Sequence, residues 1–402
     1  MFKVPANLAD STRHSGPLRS SLPQLSGALG DSGVLAPLAL ALIAINGLHP
    51  TPLFLVFGIA YAAAGLYYRV PVPVQPLKAM AVIALSTGAA VELISMAALE
   101  MAVLLALIAL TGGARLLERI FTRPLVRGVQ LGVGLLLIRK AIVMTFSGDS
   151  GSLALASAPT LVTVVVAGAL LLTLIVAHNR LSRIPAALLL LAVGAAVTWI
   201  THGVAPLPQL SEWMPGRLDL SLATSALVLL VIPQLPLTLG NAAVAAAATA
   251  RDYYGERAGR VTVRALCFSM SGFNLIAAIL GGFPVCHGSG GFTSHYRFGA
   301  RSGWSTFGLG VALVALALLA PGAISALVAL VPAAVLAAML AYVGLLHAAL
   351  VRDMLGAART AIPAVLLGIT ALLTTNLMIG IAVGGTVELA LYVRRWALSF
   401  GR

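Results

Sequence analysis

The stretch Val70-Pro-Val-Pro-Val-Gln-Pro-Leu-Lys-Ala79 breaks an otherwise apolar sequence and sets the pattern for the whole chain. Its three prolines cannot all lie inside a helix, because each lacks a backbone N–H and forces the preceding residue out of helical geometry. A comparable break, Gly281-Gly-Phe-Pro-Val-Cys-His-Gly-Ser-Gly-Gly291, follows in the second half, and Pro73 and Pro284 lie 211 residues apart. We therefore predict irregular or extended backbone at two related points of the fold.

A second pair of stretches repeats at nearly the same interval. Pro23-Gln-Leu25 and Pro233-Gln-Leu235 are 210 residues apart, as are Leu29-Gly-Asp31 and Leu239-Gly-Asn241. Self-similarity at one period indicates duplication, and paired breaks in an apolar chain are typical of a transporter's substrate site. The predicted organisation is a polar tail over residues 1–22, a first repeat over 23–203, an external connector over 204–221 and a second repeat over 222–397.

The composition places the chain in a membrane. Of its 402 residues, 60% are hydrophobic and only 9% are charged, whereas a soluble domain has about 25% charged residues. Apolar runs such as 161–177 are continuous rather than alternating, which favours helices over a transmembrane β-barrel. Residues 1–22 lack the apolar segment of a signal peptide. We predict an all-α polytopic membrane protein.

Apolar runs between the breaks predict fourteen segments, several of which are long enough to span a bilayer alone. The first seven cover 24–46, 52–68, 75–90, 92–112, 126–146, 160–177 and 185–201. The second seven cover 222–250, 262–281, 287–298, 303–319, 323–346, 357–373 and 376–393. The third and tenth are too short to span and are entered through broken backbone. Because seven is odd, the second repeat would be inverted relative to the first.

The basic residues predict the orientation. With a cytoplasmic N-terminus, the connectors and tails on that side contain 20 of the 25 lysines and arginines, as the positive-inside rule requires. Arg217 and the pair Arg139-Lys140 are exceptions. Because the cations are scattered over short connectors, the net charge of +13 does not indicate nucleic-acid binding. We expect a protein of the inner (cytoplasmic) membrane with both termini in the cytoplasm.

The residues after the first break are candidates for binding an anion. Pro76 is well placed in the first turn of a helix, whose free N–H groups and dipole favour an anion in front of it. Gln75 offers an amide, Lys78 brings a cation to membrane depth, and Ala79 follows in the same turn. The alternative for Lys78 is a lysine that extends its ammonium to the membrane surface.

The residues after the second break are candidates for the opposite side of the same site. A helix that begins near His287 would direct its N–H groups at the same point as the first half-helix. The candidate ligands are Cys286, His287, Gly288, Ser289 and Gly290. The alternative is glycine-mediated packing of helices. Cys286 and His287 are adjacent potential metal ligands, but without a second Cys/His pair they do not indicate a zinc site. The chain has two cysteines, Cys267 and Cys286, which give no disulfide framework.

Polar residues of the eighth segment form a third group. Gln234, Thr238 and Asn241 recur at intervals of four and three residues and therefore share one helix face. They are candidates for lining a pocket, and hydrogen bonding between helices is the alternative. Asp31, Glu100 and Glu388 are costly in a membrane unless paired or functional, so we name them as candidates for ion coupling.

These blocks resemble the signature blocks of the molybdate transporter family, a branch related to the sulfate permeases. The resemblance covers nearly the whole chain. It rests on Leu25–Gly33, Val70–Ala79, Pro233–Asn241, Phe283–Gly291 and Tyr296–Gly303. Two departures stand out: the sequence ends at Arg402 without the C-terminal regulatory domain usual in sulfate permeases, and the eighth segment lacks the acidic residue that many relatives carry.

The resemblance implies the seven-plus-seven inverted-repeat fold of the sulfate and uracil permeases. A core domain would contain spans 1–4 and 8–11, and a gate domain would contain spans 5–7 and 12–14. Substrate would lie between the starts of the third and tenth spans, which are half-helices. The lack of an acidic residue in the eighth span leaves proton coupling open and suits a substrate with two negative charges.

We predict secondary active transport of a tetrahedral oxyanion, molybdate first and sulfate second, by movement of the core against the gate. Lys78, His287 and the half-helix amides would supply positive field; Gln75, Ser289, Gln234 and Thr238 would supply hydrogen bonds. No cofactor, metal or catalytic residue is expected. The alternatives are an organic-anion or nucleobase permease of the same fold and, in another class, an anion channel. The coupling ion, with protons as one candidate, and the oligomeric state, with a homodimer as one option, stay open.

Overall fold

The computed structural model describes residues 17–113, 121–147, 166–173, 175–176, 186–202, 213 and 215–400. Within these ranges the chain is almost entirely helical. Eight helices are long and apolar enough to cross a membrane, and three more apolar helices are shorter. The predicted all-α multi-pass architecture is confirmed. The count of fourteen spans stays a prediction, and the segments 160–177 and 185–201, the tail 1–22 and the connector 204–221 lie partly outside the described residues.

Helices and one two-residue strand make up the first half. They are α1 (Pro17–Ala28), a 3-10 turn (Leu29–Asp31), α2 (Ser32–Asn46), α3 (Pro50–Tyr68), β1 (Gln75–Pro76), α4 (Lys78–Thr87), α5 (Val91–Thr111), α6 (Arg123–Ser147) and α7 (Ala186–His202). Residues 166–173 are also helical. Helix α3 begins at Pro50, where the proline needs no N–H partner, and His49 caps the amide of Thr51 at 3.2 Å.

The second half begins with one long helical rod that is locally irregular. It consists of α8 (Ala223–Ala226), α9 (Ile232–Leu237) and α10 (Ala246–Tyr254), joined by π-helical turns at Leu227–Val231 and Thr238–Ala245. Then follow α11 (Val263–Leu280), β2 (Val285–Cys286), α12 (Ser289–Arg297), α13 (Gly303–Leu319), α14 (Pro321–Leu330), α15 (Ala333–Ala348), a 3-10 turn (Ala349–Met354), α16 (Ala358–Thr374) and α17 (Leu377–Phe400). The predicted span 323–346 is therefore wrong as one helix, because the break at Val331-Pro332 divides it.

The two predicted breaks meet in the fold. Strands β1 and β2 pair antiparallel, with Gln75 opposite Cys286 and Pro76 opposite Val285, and Leu77 N donates to Pro284 O at 3.0 Å. Each strand leads into a short helix, α4 or α12. The prediction that Pro76 lies in the first helical turn is wrong, because its backbone is held in the strand pair and the helix begins two residues later.

Two groups of helices surround this centre. In one group, α3 packs along α13 and α5 packs along α11. The approach of α3 and α13 is close: a Cβ built at Gly58 would lie 2.8 Å from Gly310 O. In the other group, α6 packs against both α15 and α16, and α16 packs against α17. The division of the chain into a core and a gate domain, and the boundaries of these domains, stay a prediction.

Candidate functional site

The first turn of α4 is closed by a side chain from the eighth segment. Gln234 Oε1 accepts hydrogen bonds from the backbone amides of Ala79 at 2.8 Å and Met80 at 3.2 Å. Amides in the first turn of a helix have no partner within that helix, so an external acceptor satisfies them. The expectation that these two amides are open to an anion is therefore not met, because α9 packs against α4 and brings Gln234 to them.

The polar face of the eighth segment touches the start of both half-helices. Gln234 Nε2 donates to Thr238 Oγ1 at 3.0 Å, which orients the Gln234 amide with its oxygen towards α4. Further along the same face, Asn241 Oδ1 accepts from Ser289 Oγ at 2.7 Å, at the first residue of α12. One polar face of the eighth segment therefore contacts the starts of both α4 and α12.

A small cavity, with room for about one water molecule, opens beside the start of α4. It is lined by Lys78, Gln130, Gln234, Leu237, Asn241, Cys286 and His347. Four of these side chains were candidates from the sequence: Lys78, Gln234, Asn241 and Cys286. None of the lining residues is acidic, and amide and basic side chains predominate. This lining suits an anion that accepts several hydrogen bonds.

Lys78 is the fixed positive charge of the cavity. Both ion pairs found among the described residues are made by Asp353, so Lys78 has no carboxylate within ion-pair distance there. A Cβ built at Gly288 would lie 3.4 Å from Lys78 Nζ, which places the ammonium next to the residue that precedes α12. Lys78 therefore belongs to the first turn of one half-helix and approaches the start of the other.

Asp31 and Gln75 form a buried pair close to Lys78. Gln75 Nε2 donates to Asp31 Oδ1, and both residues are almost fully buried. Asp31 interacts electrostatically with Lys78. Among the described residues, Asp31 Oδ2 and Gln75 Oε1 have no hydrogen-bond partner. Asp31 thus lies where a coupling group would be useful, and that role stays a prediction.

His287 is engaged at both ring nitrogens. Nδ1 lies 2.8 Å from Pro73 O, and Nε2 lies 2.8 Å from Ser269 Oγ, which in turn lies 2.8 Å from the Tyr68 hydroxyl. Since a carbonyl only accepts, Nδ1 carries the hydrogen and Nε2 accepts from Ser269. His287 is fully buried and ties the first break to α11. Its role as an anion ligand stays a prediction.

The remaining candidates are dispersed. Gly288 is buried, and a Cβ there would overlap Gln75 Oε1, so the two breaks approach as closely as glycine permits. Gly290 is exposed with open space beside it. Glu388 accepts from Thr122 Oγ1 at 2.8 Å, and Glu100 lies on α5. Neither glutamate lines the cavity.

The family is decided by comparison with known proteins. Residues 23–137 and 226–346 match the family described as "Molybdate transporter of MFS superfamily". The chain belongs to the molybdate transporter family. Molybdate transporter 2 of Arabidopsis thaliana is 29% identical over 390 residues, covering 85% of this chain and 81% of the relative. Molybdate transporter 1 of the same plant is 27% identical over 421 residues, covering 96% and 90%.

Solved structures with the same fold are also known. The transmembrane domain of the cyanobacterium bicarbonate transporter BicA superposes with a TM-score of 0.67 at 15% identity, covering 90% of this chain and 97% of that one. The murine Solute Carrier 26 family member A9 anion transporter in the inward-facing state gives 0.66 at 13% identity, covering 96% and 70%. The predicted fold class, shared with the sulfate permeases, is confirmed.

Two cavity residues of this molybdate transporter family member were missed by sequence reasoning. Gln130 lies on α6 and His347 on α15, so both come from the second helix group. Arg127 Nη1 donates to Gln130 Oε1 at 2.8 Å, which leaves the Gln130 NH2 group to act as a donor. Each is a polar residue within an apolar helix, and this could have indicated a functional position. Polar residues in membrane spans are costly and usually have a functional role.

Proposed function

We propose that this molybdate transporter family member moves a tetrahedral oxyanion, molybdate first, through the cavity beside α4. The observation that carries the proposal is the position of Lys78, whose ammonium lies in a cavity without acidic lining and has no carboxylate within ion-pair distance among the described residues. A cation at membrane depth is costly unless it is paired, and a bound anion would lower that cost. The family membership supports molybdate as the substrate.

The surrounding groups suit a doubly charged oxyanion. Lys78 at about 4 Å from one unit of negative charge is worth about 4 kcal/mol at an effective dielectric constant of about 20. Gln130 and Asn241 offer side-chain NH2 groups, and the N-termini of α4 and α12 add a favourable dipole. Gln234 acts indirectly here, because its oxygen holds two amides of α4 in place.

We propose that transport occurs by alternating access. The cavity walls combine Lys78, Gln234 and Cys286, which belong to the predicted core domain, with Gln130 and His347 from the second helix group. Movement of one group against the other would separate these walls and open the cavity to one side of the membrane. A site built by two bodies can change its access without unfolding either body.

The orientation is also a proposal. Basic residues of the connectors, such as Arg257, Arg301 and Arg352, lie in the loops that the positive-inside rule assigns to the cytoplasm. We propose that these loops and both termini face the cytoplasm of a cell whose inner membrane contains the protein. Accessibility of single cysteines, introduced at Arg217 and Arg257, to an impermeant thiol reagent would test the assignment.

Uptake into proteoliposomes tests the function. Radiolabelled molybdate is expected to accumulate against its gradient, with saturation and with little competition from excess sulfate. Lys78→Ala should weaken uptake roughly 100-fold, about 2.7 kcal/mol, because it removes the fixed charge. Lys140→Ala is the matched control, since Lys140 lies on α6 and does not line the cavity.

Each contrary result has a distinct meaning. Uptake abolished by modest sulfate would make sulfate the substrate. Downhill flux without accumulation would favour the anion channel. No uptake of either oxyanion by folded protein would contradict the proposal and favour an organic-anion permease. Equal uptake by Lys78→Ala and wild type would remove Lys78 from the site.

A further inference from the structure

We infer that His347 completes the oxyanion site from the second helix group and takes up one proton together with the substrate. The inference rests on the proposed function, because it names a further residue and a second ligand of that same site. His347 lies at the end of α15, is 7% exposed, and lines the cavity together with Lys78 and Gln130. Histidine is the one residue type in this lining whose ordinary pKa is near neutral pH.

The ring orientation makes Nε2 the reactive nitrogen. His347 Nδ1 lies 2.9 Å from Val343 O, one helical turn earlier. A backbone carbonyl only accepts hydrogen bonds, so Nδ1 carries the hydrogen in the neutral ring. The lone pair then resides on Nε2, which is available to a proton and to a group in the cavity that His347 lines. A protonated Nε2 would donate to an oxyanion oxygen, whereas the neutral ring would present a lone pair to it.

Charged groups lie near His347 on several elements. Lys78 is the cation that shares the cavity with it. Cys286 is the other titratable lining residue, and Asp31 lies close to Lys78. On α6, Arg127 is paired with Asp353 and bonded to Gln130.

The other helices packed against α15 add little. Helix α2 contains no ionisable residue, and in α7 the one ionisable residue is the terminal His202. The 3-10 turn after α15 contributes Arg352 and Asp353. Lys78 is therefore the cation that shares the cavity lining with His347.

Charge balance gives the expected sequence of events. In the empty cavity, Lys78 is charged and His347 is neutral. When an oxyanion with two negative charges enters, Lys78 alone leaves one negative charge unbalanced in a low-dielectric site, which is unfavourable. One proton from water then binds Nε2, forming an N–H bond, and the loaded cavity becomes neutral. On release, the oxyanion leaves and Nε2 returns its proton to the water on that side.

The experiment is calorimetric titration of molybdate into the purified full chain, between about pH 5 and 8, in buffers of different ionisation enthalpy. The wild type is expected to take up close to one proton per oxyanion. Its Kd should rise with pH by up to tenfold per pH unit once the His347 proton must be supplied from solution.

Two substitutions separate the charge of His347 from its shape. His347→Gln keeps a donor but never charges, so it should bind more weakly and without proton uptake. His347→Lys is charged throughout, so it should bind as tightly at the high-pH end as the wild type does at the low-pH end, again without proton uptake. If the glutamine variant does not fold, the lysine variant and the wild-type proton count still decide the matter.

The contrary outcomes are separable. Absence of molybdate binding by folded wild type would contradict the proposed function itself. Binding by wild type without proton uptake would overturn the present inference and leave the proposed function intact. Proton uptake that persists in His347→Gln and disappears in Asp31→Asn would also overturn it and would assign the proton to Asp31.

Discussion

Gln234 Oε1 accepts a hydrogen bond from the backbone amide of Ala79 at 2.8 Å, although 155 residues separate the two in the chain. The same oxygen accepts from Met80, and the Gln234 NH2 group donates to Thr238. A neutral side chain therefore does at the start of α4 what a capping residue usually does from the preceding position. This leaves Lys78, rather than the amides of Ala79 and Met80, as the main positive group that faces the cavity.

The cap can be separated from the cavity chemistry by two substitutions at Gln234. Gln234→Leu removes the acceptor and leaves two buried amides unsatisfied, which should lower the free energy of unfolding by about 1–3 kcal/mol. Gln234→Glu keeps an acceptor at the positive end of the helix dipole, so its thermal unfolding should stay near that of the wild type. Because it adds a negative charge to the cavity wall, its molybdate Kd should rise at least tenfold.

Thermal unfolding in detergent and molybdate titration measure the two effects independently. An unchanged melting temperature for Gln234→Leu would show that the contact to α4 contributes nothing to stability. Unchanged molybdate affinity for Gln234→Glu would place the oxyanion away from this wall.

His287 should act through the backbone that it holds. His287→Ala leaves Pro73 O without its ring partner and removes one of the partners of Ser269 Oγ, so we expect a loss of about 1–3 kcal/mol in stability together with weaker molybdate binding. Ser269→Ala removes the hydrogen bonds of Ser269 Oγ to His287 and Tyr68, each worth about 0.5–1.5 kcal/mol, while molybdate affinity should be kept. Normal thermal stability of His287→Ala combined with lost binding would instead support a direct anion ligand, as the sequence suggests.

The close approach of the two breaks should make Gly288 intolerant of a side chain. Gly288→Ala places a Cβ against Gln75 Oε1 and 3.4 Å from Lys78 Nζ, so it must displace groups at the centre of the site. We expect lower thermal stability and at least tenfold weaker uptake. Gly272→Ala is the matched control, because Gly272 is an exposed glycine of α11 with open space beside it.

Alanine at Gly272 should be neutral or stabilise by up to about 1 kcal/mol, as usual for glycine replaced in a helix. If Gly288→Ala behaves like this control, the breaks can separate without loss, and their contact is not needed for transport.

Gln130 should contribute a donor rather than an acceptor. Its oxygen is taken by Arg127, which Asp353 holds through bonds of 2.7–3.0 Å to Nε and Nη2. Gln130→Glu would keep the contact to Arg127 but replace the NH2 donor by a carboxylate oxygen facing the cavity. The expected result is unchanged thermal stability and a Kd for molybdate at least tenfold higher, measured by titration.

Gln130→Asn, which keeps a donor on a shorter side chain, is the comparison for charge and should lose less affinity than Gln130→Glu. Equal affinities of the wild type and Gln130→Glu would mean that α6 does not reach the substrate. The proposal that α6 forms one moving wall of the substrate cavity would then be wrong.

Local chemistry allowed much of the fold to be predicted from the sequence. The prolines at 71, 73 and 76 and the glycines of 281–291 predict two breaks, and the structure has both, paired as β1 and β2. Helix bounds were predicted closely where a span is flanked by clear breaks, as at Val91–Thr111. They were wrong where Val331-Pro332 divides an apolar run, because hydropathy alone does not distinguish one helix from two.

The candidate site was predicted only in part, because a sequence pattern describes one helix at a time. Lys78 in the first turn of a half-helix and the polar face of Gln234 and Asn241 follow from spacing along one element, and all three line the cavity. Spacing along one element carries no information on which partner faces it. Nothing in a linear pattern distinguishes a glutamine that binds substrate from one that caps another helix.

The sequence by itself determined the membrane character, the repeated breaks and the family resemblance, because each depends on composition or on residues close together in the chain. Only the tertiary structure decided that Gln234 occupies the amides of α4, that His287 is held at both nitrogens, and that Gln130 and His347 reach the cavity from the second helix group. Those contacts join residues far apart in sequence. A single hydrogen bond contributes about 0.5–1.5 kcal/mol and produces no repeating pattern in the sequence. Its partners are therefore selected by the packing of the helices.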